Sequence, residues 1–136
     1  MTNDDLAQSY FFKAEKRLKI LDALFLEKDY SDVVREAQET VELCLKGMLR
    51  YVGIEPPKYH DVGPLIIEHQ TRFKDISSKE ILRLAQISKE LRKERELAFY
   101  GDIDFIPTEE YTLENAKEAI EGANFVVSTA RRIMKK

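Results

Sequence analysis

The stretch SDVVREAQETVELCLKGMLRYVG, residues 31–53, decides what kind of protein this is. Val34, Ala37, Val41, Leu45, Met48 and Val52 recur at steps of three or four. That spacing puts them on one apolar stripe of a helix and leaves the charged residues to the other faces. Cys44 falls at the edge of the stripe and reads as a small core residue. Gly53 is a natural left-handed stop. The tandem prolines of Ile54-Glu55-Pro56-Pro57 lack donors and restrict their neighbours, so no helix continues through them.

Working outward, the same period recurs. Ala7, Phe11, Ala14, Leu18, Leu21 and Phe25 predict a first helix from about Asp4 to Lys28, with Thr2 or Asn3 as its cap. A shorter helix is expected from Val62 to Phe73, capped by Asp61, with Pro64 in its first turn. Ser77-Ser78-Lys79-Glu80 reads as a capping box, flanked by a hydrophobic staple of Ile76 and Ile81. The helix it opens is expected to run to Tyr100 and stop at Gly101. After a loop from Asp102 to Pro107, Thr108 or Thr112 caps a last helix that turns Ala116, Ala119, Ala123, Val126, Ala130 and Ile133 inward. No stretch alternates with a period of two. The expected fold is therefore all-α: an up-and-down antiparallel bundle of four main helices plus one short helix. The small residues of the last helix leave open whether its face serves the chain's own core or a partner subunit.

Composition agrees and narrows the function classes. A chain of 136 residues is expected to form a single domain, residues 1–136. With 43% hydrophobic and 35% charged residues it is neither a disordered tail nor a membrane protein. A net charge of −3 gives no globally basic nucleic-acid footprint. One cysteine excludes an internal disulfide, and the acidic start Met1-Thr2-Asn3-Asp4-Asp5 is unlike a secretory signal. The cytoplasm is the expected compartment.

Few residues carry chemistry. Projected at about 100° per residue, Arg95 shares the direction of Ile81, Leu84, Ala85, Ser88, Leu91, Ala98 and Phe99, with Arg92 at the edge. A guanidinium aimed at a core needs a carboxylate or a phosphate to meet it. One account has Arg92 and Arg95 lining a polar cleft and binding an anion by forked hydrogen bonds. The other has them reaching to the surface or pairing with a glutamate on a neighbouring helix. Tyr100 and Asp102 at the helix exit add weight to the first. Glu42 and Lys46 stand four apart as an exposed-type ion pair. Gln38, on the apolar stripe, is expected to hydrogen-bond across the bundle to the first or fourth helix. His60 is a candidate general base or a turn residue, and His69 reads as surface. Two isolated histidines form no metal site, and no glycine-rich phosphate loop or nucleophile motif is present, so no cofactor is expected.

Taken in order, these residues resemble the HEPN domain family. Ala37, Gln38, Glu42 and Lys46 have the spacing of its second-helix signature. Tyr59-His60-Asp61-Val62 is similar to its His-Asp-Leu step, and Arg95-Glu96-Leu97-Ala98-Phe99-Tyr100-Gly101-Asp102 lies where its late-helix arginine motif stands. The small residues of the last helix also fit. The resemblance implies a helical bundle, commonly a homodimer, found in prokaryotes beside a minimal nucleotidyltransferase or in toxin–antitoxin pairs. It also implies ties to nucleotides or RNA, since many members are metal-independent ribonucleases that use an arginine and, four to six residues on, a histidine. Here the arginine matches at Arg95, Glu96 takes the polar position, and Tyr100 stands where the histidine is expected.

That replacement alters the chemistry. Ribose 2′-hydroxyl attack benefits from a group that exchanges protons near neutral pH; histidine ordinarily does so and tyrosine does not. The leading expectation is a non-catalytic module. Arg92 and Arg95 would hold a nucleotide or RNA phosphate, Tyr100 would contact a base or sugar, and Asp102 would orient an arginine. The competing expectation is a toxin-like endoribonuclease in which Arg95 and Tyr100 act with His60 brought in from elsewhere. A third is an adaptor whose arginines are merely ion pairs.

Overall fold

A computed structural model describes residues 3–58 and 61–134 of the chain. The sequence stripe of residues 34–52 becomes the central helix of a bundle. Helix α1 (Asn3–Leu26) reverses into α2 (Tyr30–Tyr51) through a tight turn in which Lys28 takes a left-handed φ of 61°. There Lys28 N–H bonds to Phe25 O and Asp29 N–H to Leu24 O, satisfying carbonyls that the helix end leaves open. The end of α2 repeats the device with Gly53 at φ 85°, where Gly53 N–H meets Arg50 O and Ile54 N–H meets Leu49 O.

The expected short helix is shorter still. Helix α3 covers Gly63–Glu68, and the chain to Phe73 is a 3₁₀ turn at Gln70–Arg72. The N-cap falls on Val62 rather than on the expected Asp61, and Asp61, one residue earlier, accepts from Gly63 N–H through Oδ1 at 3.0 Å. The capping box forms as read. Ser77 Oγ accepts from Glu80 N–H, and Glu80 Oε1 accepts from Ser77 N–H, opening α4 (Ser78–Lys93).

The expected run to Tyr100 does not hold. Helix α4 breaks at Glu94, whose N–H bonds to Leu91 O three residues back, and a separate short helix α5 (Arg95–Phe99) follows. Between Leu91 and Leu97 every residue is charged, so no apolar side chain holds the straight path. The Glu94 carboxylate is also held sideways by Tyr111 Oη at 2.6 Å. Gly101, at φ 71°, ends α5, and a Cβ there would lie 2.4 Å from Phe105 O. A tight turn closed by two hydrogen bonds between Asp102 and Phe105 leads to α6 (Pro107–Glu110). Thr112 then caps α7 (Leu113–Met134), exchanging side-chain bonds with Asn115. The described residues thus hold four long helices and three short ones rather than one, and no strand. The class is all-α as expected.

Sequence neighbours among the long helices pack antiparallel. The second and fourth long helices, α2 and α7, run parallel and touch directly. Cys44 Sγ lies 3.9 Å from Val126 O, and the ends of both helices meet where a Cβ on Gly47 would lie 3.4 Å from Met134 Cε. The small residues allow this approach. Ala116, Ala119, Ala123 and Ala130 are buried within the single chain, so the alanine face of α7 serves its own core. Gly47 also lets α1 close in, with a Cβ there 3.1 Å from Tyr10 Cβ. Ion pairs stitch the rim: Arg17 with Glu36, Arg131 with Glu15, and Arg132 with Glu80 and the Asp75 carbonyl. The bond from Arg132 holds the Glu80 carboxyl below its ordinary range. No helix is long and apolar enough to cross a membrane among the described residues.

Candidate functional site

Beside its apolar stripe, α2 carries Arg35, Glu39, Glu42 and Lys46, with the buried Gln38 on the stripe itself, and these meet α4 and α5. Glu42 is the centre. Its Oε1 accepts from Arg92 Nη1 at 2.6 Å and from Gln38 Nε2 at 2.8 Å, while its Oε2 lies 3.1 Å from Lys46 Nζ. The side chains of Glu42, Lys46 and Arg92 are each less than a quarter exposed. The expected exposed-type pair is therefore a half-enclosed triad, in which one carboxylate holds two cations together. Lys46 also donates to Lys58 O, tying down the segment after α2. One turn before Arg92, buried Ser88 donates to Asp61 Oδ1 at 2.6 Å.

Beyond Glu42 the seam opens. Arg35 binds Glu39 Oε2 through Nη2 at 3.0 Å and Nε at 3.3 Å, whereas Arg95 Nη2 reaches the same oxygen only at 4.0 Å. The Arg95 side chain is 40% exposed. Its neighbours are aromatic. The Arg35 guanidinium lies 4.8 Å over the Phe99 ring, and Phe99 meets Tyr100 edge-on at 4.8 Å. Phe99 is 51% and Tyr100 75% exposed. In these pairs four cations, Arg35, Lys46, Arg92 and Arg95, share two carboxylates.

Several expectations are corrected here. Gln38 bonds within its own helix, to Glu42, and not across the bundle; its Oε1 is buried without a partner. Phe99 turns out towards solvent, although Ala98 beside it is buried as the projection has it. Among the described residues Asp102 pairs with no arginine: its Oδ1 accepts from Ile103 N–H within its own turn. His69 is half-buried at the end of α3 beside Glu68, not a surface residue in mid-helix. Tyr59 and His60, with the general base proposed at His60, lie outside the described residues, as do Thr2 and its cap. Arg92 and Arg95 stand on one seam, but neither lines the recess of about 460 Å³ on the far side of α4. Arg35, Glu39 and Phe99 were missed. The four-residue step from Arg35 to Glu39, continued by Glu42 to Lys46, was the available signal.

The arrangement can hold an anion at a half-exposed guanidinium beside two exposed rings, with Arg92 anchored behind it. A helical bundle whose central helix carries such a seam is the class that fold and site define. The HEPN domain model matches residues 7–133, and the chain belongs to the HEPN domain family. No curated protein and no solved structure gives a significant match to it.

Proposed function

We propose that this HEPN domain binds the phosphate of a nucleotide or of RNA at the Arg95 face without cleaving it. It would act as a homodimer and with a partner protein such as a minimal nucleotidyltransferase or an antitoxin. The observation that carries the reading is Arg95 itself, half-exposed, with its nearest carboxylate oxygen 4.0 Å away. A phosphate oxygen at normal hydrogen-bond distance is a better partner than that carboxylate. Phe99 and Tyr100 offer faces for a base, a sequence-tolerant contact. Arg92 contributes potential from behind while tied to Glu42, and Asp102 shapes the turn after Tyr100.

The test is fluorescence anisotropy of a labelled single-stranded oligoribonucleotide at low salt, with calorimetry for free nucleotides. Arg95→Ala should weaken binding about tenfold and flatten the salt slope by about 0.7. Unchanged affinity removes the anchor and the reading with it. An endoribonuclease remains the competing reading, favoured by one contact: Asp61, next to His60 in sequence, is docked on Ser88 one turn before Arg92. RNA cleavage that His60→Ala abolishes, in folded protein, would replace the binding module with that enzyme.

A further inference from the structure

The recess between α4, α6 and α7 has a chemistry opposite to that of the arginine seam. Its volume of about 460 Å³ suits a small molecule. The floor is apolar, made by Val34 and Leu91, and it is hollow because Ala119 and Gly122 leave it so. One wall is aromatic: Phe105 and Tyr111 meet edge-on at 5.7 Å, and the Tyr111 hydroxyl is fixed on Glu94. Burial and that carboxylate push the Tyr111 phenol up, so it stays a neutral donor. Around the opening stand Glu90, Glu94, Glu110 and Glu118, with Lys93.

Elsewhere, several carboxylates are matched by a cation on another element of the chain. Glu15 meets Arg131, Glu36 meets Arg17, Glu42 meets Arg92, and Glu80 meets Arg132. None of the four recess glutamates pairs with a cation among the described residues. Nor do they converge: no group of three potential ligands among those residues is arranged to hold a metal ion. Spread charge above an apolar floor and beside a ring suits an extended ligand rather than a bare ion, which needs clustered oxygens.

We propose that this recess binds an organic cation, an ammonium or guanidinium carried on an apolar stem. The stem covers Val34 and Leu91, the aromatic wall receives the cation, and the glutamates supply the counter-charge. The cation comes from a free amine or from a lysine or arginine side chain of a partner. The recess repels phosphates, so this site is independent of the Arg95 reading.

Calorimetric titration of the intact chain with spermidine, with agmatine and with an amide-capped arginine peptide distinguishes the sources. At least one should bind saturably at a single site with a Kd of about 1 mM or tighter at low salt. Glu90→Gln/Glu110→Gln/Glu118→Gln, at three exposed positions, should weaken it about tenfold. Arg95→Ala should leave it unchanged, and so should Glu27→Gln/Glu55→Gln, two exposed glutamates outside the recess. Binding undiminished by the triple change, equal weakening by the remote pair, or no binding of any probe overturns the proposal.

Discussion

Helix α2 has two faces built from the same 22 residues, and they obey different rules. Against α1 and α7 it presents Ala37, Val41, Cys44, Leu45 and Met48, all sealed from water. Against α4 and α5 it presents Arg35, Gln38, Glu39, Glu42 and Lys46, whose charges are half-enclosed and matched partly within the helix, Arg35 with Glu39 and Lys46 with Glu42, and partly across to Arg92 and Arg95. The dry face gains by removing apolar area from water and penalises any void. The polar face gains little net stability, because each ion gives up hydration to meet its partner. What it keeps is a set of held cations beside an opening. The dry face even silences chemistry, since burial pushes the Cys44 thiol up to about 12.

The sharpest way to break this contrast is to cut both faces and compare stability with binding. Leu45→Ala should cost about 3 kcal/mol in urea unfolding and leave oligonucleotide affinity per folded molecule unchanged. Next comes Glu42→Ala, which leaves Arg92 and Lys46 facing each other without their shared carboxylate. About 2 kcal/mol should be lost, with Glu42→Gln recovering part of it. Arg95→Ala should show the reverse pattern, with less than about 0.5 kcal/mol of stability lost but binding weakened. If Arg95→Ala destabilises as much as Glu42→Ala, the distinction between held and available cations fails.

Smaller effects are expected where α2 begins. Lys28→Gly relieves a left-handed side-chain backbone and should raise stability by about 0.5 kcal/mol, net of the extra chain entropy of glycine. Asp32 is raised to about 6, first by burial and then by the neighbouring Asp29 carboxylate. An acid with a raised folded-state pKa binds its proton more tightly when folded. Stability from this group is therefore present at low pH and lost as pH rises from about 4 to 6. Asp32→Asn should remove that slope and gain a few tenths of a kcal/mol at neutral pH, after solvent screening. A thermal-melt series from pH 4 to about 7 reads both the slope and its loss.

The long helices and their caps were legible because their signals are local. Stripes at helical spacing, Gly53, the Ser77–Glu80 box and Thr112 each act within a few residues. The break at Glu94 was only partly legible: the charged run from Arg92 to Glu96 is local, but the Tyr111 hydroxyl that holds Glu94 comes from 17 residues further on. Beyond the break the projection holds for Ala98, which is buried, and fails for Phe99, which is found outside. Arg92 and Arg95 were legible as candidates, but their difference was not: one meets Glu42 at 2.6 Å and the other reaches Glu39 only at 4.0 Å. Gln38 was misassigned because a stripe position reveals burial, not the direction of an amide.

By itself the sequence determined the helical class, the bounds of α1 and α2 and the starts of α4 and α7 to within a turn or so, and most residues of the dry core. Periodicity and capping are set by neighbours three or four residues apart, and burial follows the apolar stripe. Only the tertiary structure decided that α7 lies parallel on α2, that the fourth helix is cut in two, and which guanidinium is held and which is offered. Those outcomes depend on contacts between residues far apart in the chain, whose distances no local pattern encodes.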